Sequence, residues 1–259
     1  MNDSLLVPPS SVRVWRGFRL PTLSVSDFQT KLGTVFVPAT VKMQIEAGLR
    51  AYLPTAPAGL PDKPDSVPDE TAILFWPSPA TYWNGFTRLA VRTYTLTHNG
   101  VYITENGKSQ ADFPTLFDGD LQSEQSVYLF DKPADWMRGS VRHLLAARPA
   151  SLTPVAFHAA VAQVLVQIQK TVALDGAVAC AGDDYFMYWE LGQLSPGAKQ
   201  ALTGVPLLEQ MLLASAPGWS QAFNPAPTYL PIELWDEWAG MDVRAGSSFN
   251  MQFDRAPLS

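Results

Sequence analysis

Apolar residues at Phe28, Leu32, Val35, Phe36, Ala39 and Met43 recur at spacings of three and four, the period of a helix that buries one face. The pattern predicts a helix over 25–45, capped by Ser24 or Ser26, kinked or split by Pro38 and closed by Gly48. A second stripe, with Phe157, Val161, Val164, Leu165, Ile168 and Val172, predicts a helix over 151–172 that starts on Thr153-Pro154. Runs rich in β-branched and aromatic residues predict strands at 12–20, 48–53, 71–76, 126–130, 140–148, 175–181 and 185–190. A last strand is predicted at 228–235, where Pro231 confines it to an edge or a bulge. The Pro-rich stretch 54–70 and the segment 108–125 read as loops, and 132–139 as a turn between halves. Residues 78–100 read as a helix opened by Ser78-Pro79, with a hairpin around Asn99-Gly100 as the alternative. Ser195-Pro196 open a helix that includes 198–214, and the tail from Gly240 shows no clear pattern.

The pattern occurs twice. VRVWRGFRLPTLSVSDF (12–28) aligns without a gap on VRHLLAARPASLTPVAF (141–157). Val12/Val141, Arg13/Arg142, Arg19/Arg148, Leu23/Leu152 and Phe28/Phe157 are identical pairs, and Ser24 meets Thr153. Ile-Leu-Phe-Trp76 is laid over Phe-Met-Tyr-Trp189 as a matching third strand. Each half reads β-α-β-β-α-β, the ferredoxin-like order. The predicted class is therefore α+β, with ferredoxin-like units over 12–131 and 139–240 packed as an α+β barrel within one chain.

The segment LSVSDFQTKLGTVFVPATVKM followed by GLRAYLPT resembles the dimeric α+β barrel superfamily, which includes EthD-like and antibiotic-biosynthesis monooxygenase-like proteins. The resemblance implies a cofactor-independent enzyme of small-molecule metabolism. It would act on a hydrophobic oxygenated substrate by oxygenation, cyclisation or isomerisation. A non-catalytic binder of a small hydrophobic ligand is the alternative, and a haem-dependent enzyme is a third reading, because some members bind haem. Where EthD-like helices carry a Val-His-Ala-Pro-type segment, this chain has Val35-Phe36-Val37-Pro38, with Phe36 in the histidine position.

Composition narrows the choice. Apolar residues make up 47% and charged residues 16% of the 259, with a formal net charge of −6. There is no Lys/Arg run, so neither nucleic acid nor an acidic membrane surface is expected as a partner. The start lacks a basic n-region and no apolar run is long enough to span a bilayer, which points to a cytoplasmic protein. The single cysteine, Cys180, allows no intrachain disulfide and sits among small apolar residues. The resemblance leaves pairing into a homodimer open.

Candidate chemistry is sparse. The three histidines have no metal-ligand spacing, and no phosphate-binding loop or nucleophile elbow occurs. No metal and no cofactor is expected, haem aside. His98 lies one helical turn after Tyr94, so the two share a face and could handle a proton together; the plainer role for His98 is a helix C-terminus. Arg13, Arg16, Arg19, Arg142 and Arg148 sit on the two first strands and could hold a carboxylate or enolate if their face looks into a cavity, or pair with acids at the surface. Arg13, Tyr94 and His98 are the catalytic candidates. Trp15, Arg16, Trp76, Tyr82, Arg142, His143, Tyr188 and Trp189 are the substrate-binding candidates, set against ordinary core packing. His158 and Asp183-Asp184 read as an exposed histidine and a hairpin turn.

Overall fold

The chain turns sharply after its first strand, β1 (Val12–Gly17), because Ser24 holds extended backbone and its hydroxyl accepts from Asp27 N at 3.0 Å. That cap starts α1 (Val25–Lys31). The helix widens into a π-helical turn, Leu32–Phe36, and continues as α2 (Val37–Ile45). Pro38 has no N–H and in a regular helix its ring would press on the carbonyl four residues back. An extra residue in that turn moves the carbonyl away, so the predicted kink takes the form of a π turn in one continuous run. This computed structural model describes residues 6–136, 140–192, 204–215, 218–231 and 240–254.

The second half repeats the same local device. Thr153 accepts from Ala156 N and starts α5 (Pro154–Thr171), after β7 (Val141–Ala147). In both halves an arginine fixes the bend before the cap. Arg19 Nη1 donates to the Leu23 carbonyl, and Arg148 Nη1 donates to the Leu152 carbonyl. Arg148 also donates from Nε to Asp183 O at 2.7 Å and pairs with Asp184 at 2.6 Å. The matched arginines and leucines are thus a structural clamp, and the Asp183-Asp184 turn serves it. Phe28 and Phe157 follow each cap and are fully buried.

Packing divides the chain into two units. One comprises Ser11–Lys63, Pro68–Ala111 and Pro225–Ser259. It holds β1, β2 (Ala51–Ala56), β3 (Glu70–Phe75), β4 (Gln110–Asp112), β11 (Ala226–Pro231) and β12 (Ser247–Asp254), in the sheet order β11-β12-β2-β3-β1-β4. The helices α1 and α2, α3 (Pro79–Gly85) and α4 (Leu89–Thr97) belong to it. The other unit comprises Met1–Ser10, Pro64–Val67 and Asp112–Asn224. Its sheet runs β10 (Ser220–Phe223), β7, β9 (Tyr185–Gly192), β8 (Leu174–Ala181), β6 (Gln125–Tyr128), β5 (Thr115–Leu116). On one face, α5 lays Phe157, Val161, Leu165 and Ile168 onto Leu144, Ala146, Ala177, Ala179 and Phe186, with α6 (Val205–Ser215) beside it.

The fold is α+β, and among the described residues each half runs β-α-β-β-α-β. The four strands of each pass are ordered alike, β2-β3-β1-β4 and β8-β9-β7-β10. Each sheet is then extended by a parallel strand pair from the end of the other half, β12-β11 beside β2 and β6-β5 beside β8.

Several predicted elements change. The segment read as a loop over 108–125 contains β4 and β5, whose short strands carry too few apolar residues to show a period. Pro54 lies inside β2 rather than in the loop after it. The β12 ladder matches Tyr52 and Thr55 on either side of Pro54, which has no N–H to give. Strands β10 and β12 were not foreseen. The helix over 78–100 breaks at Phe86-Thr87-Arg88 into α3 and α4, and no Asn99-Gly100 hairpin forms. The pairing of Trp76 with Trp189 is corrected by register. Val14 faces Ile73 while its counterpart His143 faces Trp189, so Ile73 is the equivalent of Trp189. The predicted helix start at Ser195-Pro196 and the end of the 228–235 strand lie outside the described residues. No described helix is long and apolar enough to cross a membrane.

Candidate active site

A cavity of about 290 Å³ lies between the helix-covered face of the first sheet and the helices above it. The two-residue period of the strands decides which side chains reach it. Arg13 and Trp15 of β1, Tyr52 of β2 and Leu74 of β3, with Trp76 just past its end, supply the floor. Phe36, Thr40 and Gln44 descend from α2 and its π turn, Tyr82 and Phe86 from α3, and Tyr94 and His98 from α4. Aromatic rings form most of the wall. Among the described residues that line it, Arg13 alone carries a permanent charge. Its guanidinium lies 4.2 Å from the Tyr82 ring centroid and donates to the Ala111 carbonyl at 3.5 Å.

His98 caps α4 and its ring is set edge-on against Trp15, Phe36 and Tyr94, with centroids 5.1, 4.8 and 4.9 Å away. Its Nδ1 lies 3.1 Å from the Thr95 carbonyl. A carbonyl only accepts, so Nδ1 carries the proton and Nε2 is left as the basic nitrogen. Burial lowers its pKa to about 4, outweighing the two backbone hydrogen bonds that favour the cation. His98 is therefore neutral at neutral pH and does not serve the helix terminus as a charge.

Tyr94 shares the His98 face, yet its hydroxyl is already engaged. It lies 2.6 Å from Thr40 Oγ1, and Thr40 itself donates to the Phe36 carbonyl at 2.9 Å. Tyr94 is thus the donor of that pair. Burial pushes its pKa well above the ordinary phenol range.

Behind the floor sits Glu70, which sequence reasoning passed over. It is 1% exposed. Its Oε2 accepts from Trp15 Nε1 at 2.8 Å and from the Tyr102 hydroxyl, and its Oε1 accepts from the Tyr52 hydroxyl at 2.8 Å. Burial raises its pKa and the three donors oppose that. Gly17 makes the arrangement possible, since a Cβ there would lie 2.5 Å from the Tyr102 ring. The available signal was a lone glutamate opening an apolar strand, a position ordinarily read as a strand edge.

Of the predicted site residues, Arg13, Trp15, Trp76, Tyr82, Tyr94 and His98 meet in this cavity. Arg16 is fully buried on the opposite face of β1. Arg142, His143, Tyr188 and Trp189 belong to the other unit. There His143 stacks on Trp189 at 4.2 Å and 3°, and its Nδ1 donates to the Tyr188 carbonyl at 2.9 Å. Burial lowers its pKa to about 3. Tyr188 donates to Glu190 at 2.8 Å, and Arg142 stands opposite Glu190 in the ladder. His158 Nε2 reaches the Gly182 carbonyl, and Cys180 is buried. Among the described residues no His/Cys/Asp/Glu group could hold a metal ion.

Three solved structures show what the chain is similar to. A proposed monooxygenase from Lactobacillus acidophilus is 5% identical, covers 82% of this chain and 90% of its own, and has a TM-score of 0.36. A proposed monooxygenase from Fusobacterium nucleatum is 7% identical over 85% and 92%, with a TM-score of 0.36. An anthrone oxidase-like protein is 8% identical over 82% and 88%, with a TM-score of 0.34. No protein-family model and no curated protein matches the chain. Likeness at this level leaves the chemistry to be argued from the cavity itself.

Proposed function

We propose that the cavity is the active site of a cofactor-independent enzyme that abstracts a proton from a small, hydrophobic, oxygenated molecule. Oxygenation, cyclisation and isomerisation of such compounds can all begin with that step. We further propose that the two β-α-β-β-α-β passes are ferredoxin-like units, within 12–131 and 139–240, of a tandem α+β barrel. The shared strand order and the repeated arginine clamp support this.

One observation carries the enzymatic reading. A neutral imidazole with a fixed tautomer and a guanidinium share one aromatic cavity. His98 Nε2 takes the proton of a C–H beside a carbonyl, or of an enolic O–H. The electron pair left behind moves onto the substrate oxygen, where Arg13 balances the negative charge. The enolate then holds the His98 imidazolium beside it as an ion pair, which offsets the low basicity that burial imposes. No cofactor enters this step. Tyr94 stays protonated and shapes the wall.

The test is exchange of the acidic C–H hydrogens of 2-tetralone, an enolisable bicyclic ketone, in D₂O buffer, followed by proton NMR. The protein should accelerate exchange over buffer, and His98→Ala should lose about 10²-fold of that acceleration. The rate should fall as pH drops through about 4, where His98 becomes protonated. Full acceleration in His98→Ala would refute His98 as the base. No acceleration by the native protein would favour a non-catalytic binder, which the low basicity of His98 also suits.

A further inference from the structure

Two buried polar atoms in the cavity wall have no partner, and both lie at the end away from His98. Trp76 is fully buried, and its indole Nε1 has no hydrogen-bond partner among the described residues. Gln44 is 5% exposed, and its Oε1 is likewise unpaired. Both residues line the cavity. Their shared position follows from the backbone. The Trp76 backbone N–H donates to the Ser11 carbonyl at 3.2 Å, which carries the β1–β3 register one step past the end of β3. Trp76 therefore stands opposite Ser11, four residues along β1 from Trp15, about 13 Å away. Above the sheet, Phe36, Thr40 and Gln44 are spaced by four and share one helix face. The Phe36 and His98 rings are 4.8 Å apart, and Gln44 lies about 12 Å further along the helix axis. After α2 the chain turns back, and the Arg50 N–H bonds the Phe75 carbonyl, which returns the Gln44 end of the helix to Trp76. Trp15 and His98 thus stand at one end, and Trp76 and Gln44 at the other. Arg13, opposite Leu74 in the ladder, is placed between them.

We infer that Trp76 and Gln44 form a second polar subsite, and that the ligand is an elongated aromatic compound with an oxygen at each end. One oxygen meets Arg13 and His98 as proposed above. The other, an uncharged hydroxyl or carbonyl, meets Trp76 and Gln44. An indole N–H only donates, whereas a carboxamide offers both an acceptor oxygen and an N–H₂. A hydroxyl answers both orphans, accepting from Trp76 Nε1 and donating to Gln44 Oε1. A carbonyl accepts from Trp76 Nε1, and from the Gln44 amide once that group turns over. Leu74 and the Tyr82 ring, which lies 5.1 Å from Trp76 and beneath the Arg13 guanidinium, supply apolar surface between the two oxygens. Buried polar groups that find a partner only in the right ligand discriminate strongly between ligands. Trp76 and Gln44 act on specificity, away from the bond that breaks. The inference rests on the proposed reading that this cavity holds an oxygenated substrate, but it concerns binding and not proton transfer.

The experiment compares 2,6-dihydroxynaphthalene with 2-naphthol by isothermal titration calorimetry on the full chain. The probes share a skeleton, and only the diol carries oxygen at both ends. The native protein should bind the diol about tenfold more tightly, the worth of one good hydrogen bond. Trp76→Phe keeps an aromatic ring and removes the N–H. Gln44→Met keeps the length of the side chain and removes the amide. Each should cut the advantage of the diol to about threefold or less, and circular dichroism reports whether each variant is folded. Should one variant fail to fold, the other carries the test. An advantage in the native protein no larger than the symmetry of the diol gives, an undiminished advantage in either folded variant, or no binding of either probe would each overturn the inference. A clear preference for the diol together with no exchange of 2-tetralone would sink the enzymatic reading and leave the subsite standing. Exchange without the preference would do the reverse.

Discussion

Acidification should destabilise the protein through His143, by an amount the structure fixes. The imidazole is fully buried, stacked between Trp189 and Phe223, and donates to the Tyr188 carbonyl. Burial holds its pKa near 3 in the folded chain, against about 6.5 when unfolded. The folded pKa is lowered, so above about pH 6.5 both states are neutral and the contribution is fully present. As pH falls below that value, only the unfolded chain gains the proton and stability is lost, until the folded value is passed. Between about pH 7.5 and about pH 4.5 the loss from this one residue is roughly 2.5 kcal/mol. A folded pKa one unit higher would change that figure by only about 0.1 kcal/mol, because the unfolded state dominates in this window. Glu70 and Glu190 have raised values and act in the opposite sense, and His98 acts in the same sense. All three are common to the native chain and a His143→Phe variant, which keeps the stack and removes the titration. Urea unfolding at both pH values, followed by tryptophan fluorescence, gives the two differences. The native chain should lose roughly 2.5 kcal/mol more than the variant. Equal losses would refute the assignment of His143 as a neutral buried group.

Gly33→Ala should destabilise by about 2–4 kcal/mol in thermal or chemical denaturation, since the new Cβ would lie 1.9 Å from the Met241 carbonyl oxygen. Easier proteolysis around Met241, whose N–H donates to the Gly33 carbonyl at 2.8 Å, would localise the damage. Arg148→Lys should cost about 1–2 kcal/mol in urea unfolding, because an ammonium cannot reproduce the guanidinium fork on Leu152, Asp183 and Asp184, and Arg19→Lys should cost about 1 kcal/mol through its bond to the Leu23 carbonyl. A cost at only one of them would contradict the shared clamp.

Long-period patterns were legible in the chain. The stripe from Phe28 and the stripe from Phe157 placed α1, α2 and α5, and the caps fell on Ser24 and Thr153, because a cap is a local hydrogen bond between near neighbours. The aligned arginines exposed the repeat for the same reason, since each bonds a carbonyl four residues away. The Trp76–Trp189 pairing misled, because a shared residue type says nothing about register. Register is set by partners such as Val14 with Ile73, far apart in sequence. Six candidates did converge on one cavity, since Arg13 and Trp15 alternate on β1 and Tyr94 and His98 are one turn apart on α4.

The sequence by itself determined the long helices, their caps and the residue types able to hold a proton or an anion, all of which act over a few residues. Tertiary structure alone decided what those groups can do. It set half-buried His98 among aromatic rings that favour its neutral form, tied Tyr94 to Thr40 and drew Trp15, Tyr52 and Tyr102 onto Glu70 from separate parts of the chain. It also set β12 beside β2 and β6 beside β8. The physical reason is common to all of these. Basicity, hydrogen-bond direction and strand pairing depend on which distant groups exclude water together, and that neighbourhood exists only once the chain has folded.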